Sequence, residues 1–280
     1  MTPGHVLAIV QAECVKLSTR LSARLGLLLA GLIGVAMPLL LWLMNSETAL
    51  VNGATLADSL QASAPKAAQW GLYLRNLWVM QAVVLLLCAQ SLAGELQART
   101  LREDLLRPVS RGAVLFAKFA SIALFVALTL SLQFVVASSF GLILFGTEGP
   151  WREVFIGYLA SGVADLSFAA VAFAITSLIR GVSGTVLVTF LFIVFEKLFA
   201  WALFLASNII QALPAEMNTL PSAVYVVFDM QPGMPSAAWG IGSTLAAGSE
   251  VSLITWSSMV FYFALGAVIA LVRMMRMEVP

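Results

Sequence analysis

FASIALFVALTLSLQFVVASSFGLILF, Phe119 to Phe145, runs for 27 residues without one charged side chain. A helix needs about 20 apolar residues to cross a hydrocarbon core of roughly 30 Å, and this stretch has more. It reads as a membrane-spanning helix. Five further runs on either side read the same way: Leu25 to Met44, Leu77 to Ala93, Phe155 to Leu178, Val182 to Leu205, and Val251 to Val272. The expected fold class is an all-α membrane protein of six spans, forming a single transmembrane domain over residues 1–280. The first run ends at Asn45-Ser46-Glu47 and is interrupted by Pro38. No small-x-small cleavage site follows it, so it is expected to be retained and not removed as a signal peptide.

Composition agrees. Apolar residues make up 61% of the chain and charged ones 10%, and the mean hydropathy is +0.97. Soluble domains are roughly 45–50% apolar and about 25% charged, so lipid is the fitting solvent. A net charge of +1 lacks the clustered basic surface of a nucleic-acid binder. Cys14 and Cys88 both fall toward one side of the expected topology and read as small packing residues, with no disulfide between them.

Orientation follows the Lys and Arg residues. With the N-terminus in the cytoplasm, the cytoplasmic segments hold Lys16, Arg20, Arg24, Arg99, Arg102, Arg107, Arg111, Lys118, Arg180, Arg273 and Arg276. The outer segments hold only Lys66, Arg75 and Arg152, and Lys197 falls inside the fifth span. Both termini are therefore expected in the cytoplasm. The first outer segment, residues 45–76, is rich in Ala and Ser. The second, residues 206–250, contains Pro214, Pro221, Pro232 and Pro235 yet stays apolar. Such a segment is expected to dip into the outer leaflet as re-entrant or interfacial helices, covered by protein or water.

Two charged elements remain. In residues 4–24, Val6, Val10, Cys14, Leu17 and Leu21 recur at helical spacing, with Glu13, Lys16, Arg20 and Arg24 off that stripe. This predicts a basic amphipathic helix at the cytoplasmic interface; a plain positive flank that sets topology is the alternative. The loop over residues 94–113 carries Glu95, Arg99, Glu103 and Arg107 four apart, a ladder of alternating charge on one helix face. Leu101 and Leu105 form an apolar ridge beside it, Arg102 adds charge, and Pro108 stops the helix. Periodicity alone fits a docking element for a soluble partner and a solvated connecting helix equally well.

Glu95, Thr100, Leu101, Leu105, then Arg107-Pro108-Val109-Ser110-Arg111 and Lys118 resemble the signature loop of ABC-2 type transporter permeases. Arg99 departs from the pattern, which usually has glycine before the threonine. The resemblance implies a permease of an ABC exporter that pairs with a second permease copy (homodimer or close paralogue) and binds a separate ABC ATPase subunit. It implies that Glu95, Arg99, Leu101, Arg102, Glu103, Leu105, Arg107, Pro108, Ser110 and Arg111 meet that ATPase, braced by the N-terminal helix. It also implies a bacterial inner membrane as the setting, with membrane lipid as a partner. The sequence has no Gly-x-x-x-x-Gly-Lys-Ser/Thr phosphate loop. The chain is thus expected to bind no cofactor and to be no enzyme itself, with ATP and Mg held by the partner subunit.

Within the spans, ionisable groups cost at least a few kcal/mol and mark candidate sites. Asp165 shares a small-residue stripe with Gly157, Ser161 and Ala169; it reads as a cavity-lining residue or as one satisfied by a neighbouring helix. Glu196 and Lys197, adjacent and so about 100° apart on a helix, do not face each other. Lys197 is placed to snorkel outward, and Glu196 is the candidate for a pathway or dimer interface. Gly26, Ala30 and Gly34 form a helix-packing stripe.

Two other classes compete. A secondary transporter or channel would usually show several buried charges, broken helices or inverted repeats, and no such repeat is visible. A redox or metal enzyme needs ligands, and the single histidine is His5. A lipid, drug, peptide or ion as substrate is compatible with the outer loops; Met217, Met230 and Met234 are too far apart to form a copper site.

Overall fold

A computed structural model describes residues 3–46, 50–51, 54–55, 62–98, 100, 110–212 and 235–276. Helix α1 (Pro3–Thr19) is separated by a break at Arg20 from α2 (Leu21–Ser46), which continues through Pro38. A two-residue antiparallel ladder follows, Leu50–Val51 against Ala54–Thr55. Then come α3 (Ala64–Leu74), a π-helical turn (Arg75–Val79), α4 (Met80–Ala89), a second π-helical turn (Gln90–Gly94) and α5 (Glu95–Gln97). These five pieces form one continuous helix over residues 64–97. The remaining helices are α6 (Arg111–Phe145), α7 (Trp151–Ile179), α8 (Val182–Ala212), α9 (Pro235–Ala246) and α10 (Leu253–Arg276). Six helical segments among the described residues are long and apolar enough to cross a membrane.

The second span departs most from the sequence expectation. It was expected to begin at Leu77 with Arg75 in an outer loop. Its helix instead starts at Ala64, where Ser63 accepts the Lys66 N–H at 3.4 Å and Pro65 occupies the first turn. Pro is tolerated there because that turn has no intrahelical N–H partner to lose. Lys66, Gln69, Arg75 and Asn76 interrupt the apolar run, so hydropathy misses the first three turns although backbone hydrogen bonding continues through them.

Helix ends have local causes. Ser110 caps α6 by accepting the Ala113 N–H at 3.3 Å. Gly146, at φ +82°, closes it with an N–H bond to Leu142 O at 3.0 Å. Arg180 takes the left-handed conformation at φ 59° and donates its N–H to Thr176 O at 3.0 Å. This lets α7 reverse into α8 within two residues. A non-glycine residue seldom holds that conformation.

Helix α7 is the hub of the bundle. It packs against α9 and α10 on one side and α4 on the other, through small residues such as Ala160, Ala164, Ala169 and Ala172. A β-carbon on Gly266 would meet the backbone of Ala170 at 2.5 Å, so α10 crosses α7 almost backbone to backbone. Small residues permit such close crossings, and van der Waals contact then holds the helices together in lipid. Ring contacts fill the rest, including Phe168 against Trp239 at 4.9 Å and Phe134 against Tyr158 at 5.1 Å. Exposed Leu28, Leu32, Leu124, Leu128, Leu187 and Phe195 form outward faces suited to acyl chains.

One helix end of the bundle gathers the start of α2, α5, the start of α6 and the end of α10. Arg111 Nη1 donates to Met275 O at 3.0 Å there, satisfying a carbonyl that the helix end leaves open. This is the charged end. Ser63, Pro65 and Gly149 lie at the opposite end.

Candidate functional site

Helix α1 meets the bundle at the charged end through an ionic cluster. Lys118 of α6 is wholly enclosed. Its Nζ donates to Glu95 Oε2 at 2.5 Å and to Glu13 Oε2 at 3.0 Å. Lys16 donates to Glu13 Oε1 at 3.0 Å, and Arg20 Nη2 to Glu95 Oε1 at 3.3 Å. Three cations thus neutralise two buried carboxylates, joining α1, α5 and α6. Beside the cluster, Ser22 donates to Gln90 Oε1 at 2.7 Å, tying the start of α2 to the second π-helical turn.

The surroundings explain why Glu13 is buried. The sequence places it off the apolar stripe of α1, yet it is more enclosed than Leu17 and turns toward Lys118. Leu21 belongs to α2 and is exposed. The face of α1 that meets α6 is therefore ionic at its centre. Burying these charges is tolerable only because each carboxylate has more than one donor; removing one partner from a buried pair typically costs about 3–5 kcal/mol.

Glu95 and Lys118 stand on either side of the loop singled out by the sequence. The helix of the second span runs through Glu95 to Gln97, and Thr100 Oγ1 approaches Glu95 O at 3.5 Å. Arg99, Leu101, Arg102, Glu103, Leu105, Arg107 and Pro108 lie outside the described residues. Ser110 and Arg111 are described, and both have structural tasks as the cap of α6 and the clasp on α10. The sequence does not put Glu13 in the site, and it shows Lys118 as a cytoplasmic cation and as part of the loop that resembles the ABC-2 signature. A buried lysine flanking a loop that begins with a glutamate is the signal for that pair.

A second polar cluster lies between the second span and α7. Arg75 Nη2 donates to Asp165 Oδ2 at 2.5 Å, and Arg75 Nη1 to Asn76 Oδ1 at 2.9 Å. Asn76 Nδ2 donates to Ser161 Oγ at 2.8 Å, and Tyr158 donates to Ala68 O at 3.2 Å. Arg75 begins the first π-helical turn, and such turns recur at functional positions. Asp165 thus has a cationic partner within the same chain. Glu196 lies on the buried face of α8 with Thr185, Thr189 and Ile193, whereas Leu187, Leu191 and Phe195 form its exposed face. Among the described residues no three His, Cys, Asp or Glu side chains gather as a metal site.

The family model for ABC-2 family transporter proteins matches residues 9–196, from α1 through the first half of α8. The chain belongs to the ABC-2 transporter family. It is an ABC transporter permease, and membership implies an ABC ATPase subunit as its partner. No curated protein matches the sequence. Both polar clusters of this ABC-2 permease fall inside the matched region, whereas α9 and α10 lie beyond it.

Proposed function

We propose that this permease is the membrane half of an ATP-driven exporter in a bacterial inner membrane. Two permease copies, identical or closely related, form the pathway, and separate ATPase subunits hold ATP and Mg. The charged end faces the cytoplasm, where the loop over residues 94–113 meets the ATPase through Glu95, Arg99, Leu101, Arg102, Glu103, Leu105, Arg107 and Pro108, with Ser110 and Arg111 coupling that contact to α6 and α10. Helix α1 lies at the interface as its brace. The apolar segment before α10 dips into the outer leaflet, with α9 as its inner arm.

The observation that carries this reading is the position of the ionic cluster. Lys118, Glu95 and Glu13 join α1 to both sides of that loop, so a push on the loop reaches the second span, α6 and α1 together. The second span is one helix from Glu95 to Ala64, and it delivers the displacement to Arg75 and Asp165. Orientation is supported by the charge bias. With Arg75 buried in the bundle, Lys66 and Arg152 are the outer cations against eleven at the cytoplasmic side. Asp165 and Glu196 are pathway or interface residues whose protein-facing positions give a translocating unit polar contacts away from lipid.

The test is co-purification in mild detergent with the ATPase encoded beside it, followed by Leu105→Asp and Arg107→Glu. Both variants are expected to release the ATPase while the spans stay folded. Absence of any ATPase from the wild-type complex overturns the reading, and continued binding in both variants moves the docking site elsewhere.

A further inference from the structure

At the end of the bundle opposite the ionic cluster, α3 and α9 leave a cleft of about 570 Å³ between them. Lys66, Gln69, Trp70 and Tyr73 line one wall. Their spacing of three, four and seven residues places them on one face of α3. Ser243 and Thr244 of α9 line the other wall, and Ser249 beyond it closes the rim. Among the described residues that line the cleft, Lys66 is the one charged side chain, and none is a carboxylate.

The lining is graded. Lys66 sits in the first turn of α3, at the end of the bundle, and Tyr73 lies about 10 Å deeper along the helix axis. The polar groups that line the cleft are an ammonium, an amide and three hydroxyls besides that of Tyr73. Trp70 and Tyr73 take the inner part, meeting edge to face with centroids 6.5 Å apart. Both rings remain exposed on their outer side, where the bundle faces acyl chains. Trp and Tyr favour this depth because one end of each ring system is apolar and the other can hydrogen-bond. A small free anion would use the cation and leave the aromatic floor empty; a neutral lipid would leave Lys66 without a counter-charge.

We propose that this cleft is a binding site for an anionic amphiphile, a membrane phospholipid whose headgroup phosphate pairs with Lys66, while Ser243 and Thr244, whose hydroxyls donate to Gly240 O at 2.7 and 3.4 Å, form the facing polar wall. The lipid's glycerol and upper acyl carbons lie across Trp70 and Tyr73. The cleft spans the boundary of the family match, since α9 lies outside residues 9–196. The site stands whether or not an ATPase drives the chain.

The experiment uses the full chain in phosphatidylcholine nanodiscs that contain dibrominated phosphatidylglycerol, whose bromines quench tryptophan. The Trp70 signal is isolated by difference against Trp70→Phe. Strong quenching by the brominated phosphatidylglycerol is expected, with much weaker quenching by the same fraction of brominated phosphatidylcholine. Lys66→Gln should lower the apparent affinity for phosphatidylglycerol about ten-fold, the effect of one charge-assisted contact, and Lys66→Arg should retain it. Equal quenching by both lipids overturns the proposal, as does a phosphatidylglycerol preference that survives Lys66→Gln. Reversal by millimolar inorganic phosphate also overturns it, because the site would then be one for a free anion.

Discussion

Arg75 and Asp165, ninety positions apart in sequence, meet at 2.5 Å in the interior of the bundle. The pair joins the first π-helical turn of the second span to α7, the helix on which most of the fold packs. Arg75 has no exposure at all and Asp165 very little, so each charge relies on the other in place of water. Taking away one partner strands the other. Arg75→Leu and Asp165→Leu are each expected to destabilise the protein by about 3–5 kcal/mol. The double variant should recover most of that loss, because two apolar residues need no partner. Unfolding of detergent-solubilised protein followed through a double-mutant cycle checks this, and additive losses would show that the pair is not a unit.

How much of this was legible beforehand differs from element to element. Phe119 to Phe145 announces its span because no charge interrupts its apolar run, and α2 and α7 are legible too because Pro38 and Asp165 are single interruptions in long apolar runs. The second span was legible only from Leu77 onward. Its outer half carries Lys66 and Gln69, which line a cleft, and Arg75 and Asn76, which bond to Asp165 and Ser161 of α7. Hydropathy scores each residue against lipid, whereas Arg75 is solvated by Asp165, a residue that only folding brings near. Glu13 was hidden for the same reason: its burial is set by Lys118, 105 positions away. The Glu95–Lys118 pair was the easiest to reach, since both residues stand in the loop signature that resembled ABC-2 permeases.

The ionic cluster holds α1, and its loss can be read at Cys14. Burial, together with the neighbouring Glu13 carboxylate, pushes the Cys14 thiol above its ordinary range, so little thiolate forms near neutral pH. Lys118→Met leaves Glu13 and Glu95 without their shared cation and should free α1 from α6. Cys14 would then become hydrated, its pKa would fall back, and maleimide labelling would quicken several-fold. Cys88, fully enclosed, serves as the internal control and should stay unlabelled. Unchanged Cys14 labelling in Lys118→Met would mean that α1 is held by its apolar contacts alone.

Close helix crossings make a sharper demand on size than on polarity. Gly266→Ala places a methyl group against the backbone of Ala170 and Val171, and backbone cannot rotate aside. A loss of about 1–3 kcal/mol is expected, the usual effect of overpacking. Gly240→Ala, on α9 with no described residue within 4 Å of the added carbon, should be neutral or stabilising by up to about 1 kcal/mol through helix propensity. Comparing the thermal transitions of the two variants separates packing from propensity. Equal shifts would disprove the close approach of α10 to α7.

Ser110 stands in the loop assigned to the ATPase, yet its hydroxyl is occupied by the Ala113 N–H of α6. The two roles predict different substitution patterns. If capping is its task, Ser110→Ala loses about 0.5–2 kcal/mol of stability, and Ser110→Asp restores it, since a carboxylate accepts the same N–H and suits the positive end of the helix dipole. ATPase binding should follow stability across both variants. A direct contact behaves otherwise: Ser110→Asp would reverse the local electrostatics at the partner surface and weaken binding while the fold gains. Thermal stability and ATPase co-purification measured side by side on the two variants decide between them. The expected outcome is that both quantities fall with alanine and return with aspartate, which makes Ser110 a positioning residue that couples the loop to α6 by fixing where that helix starts.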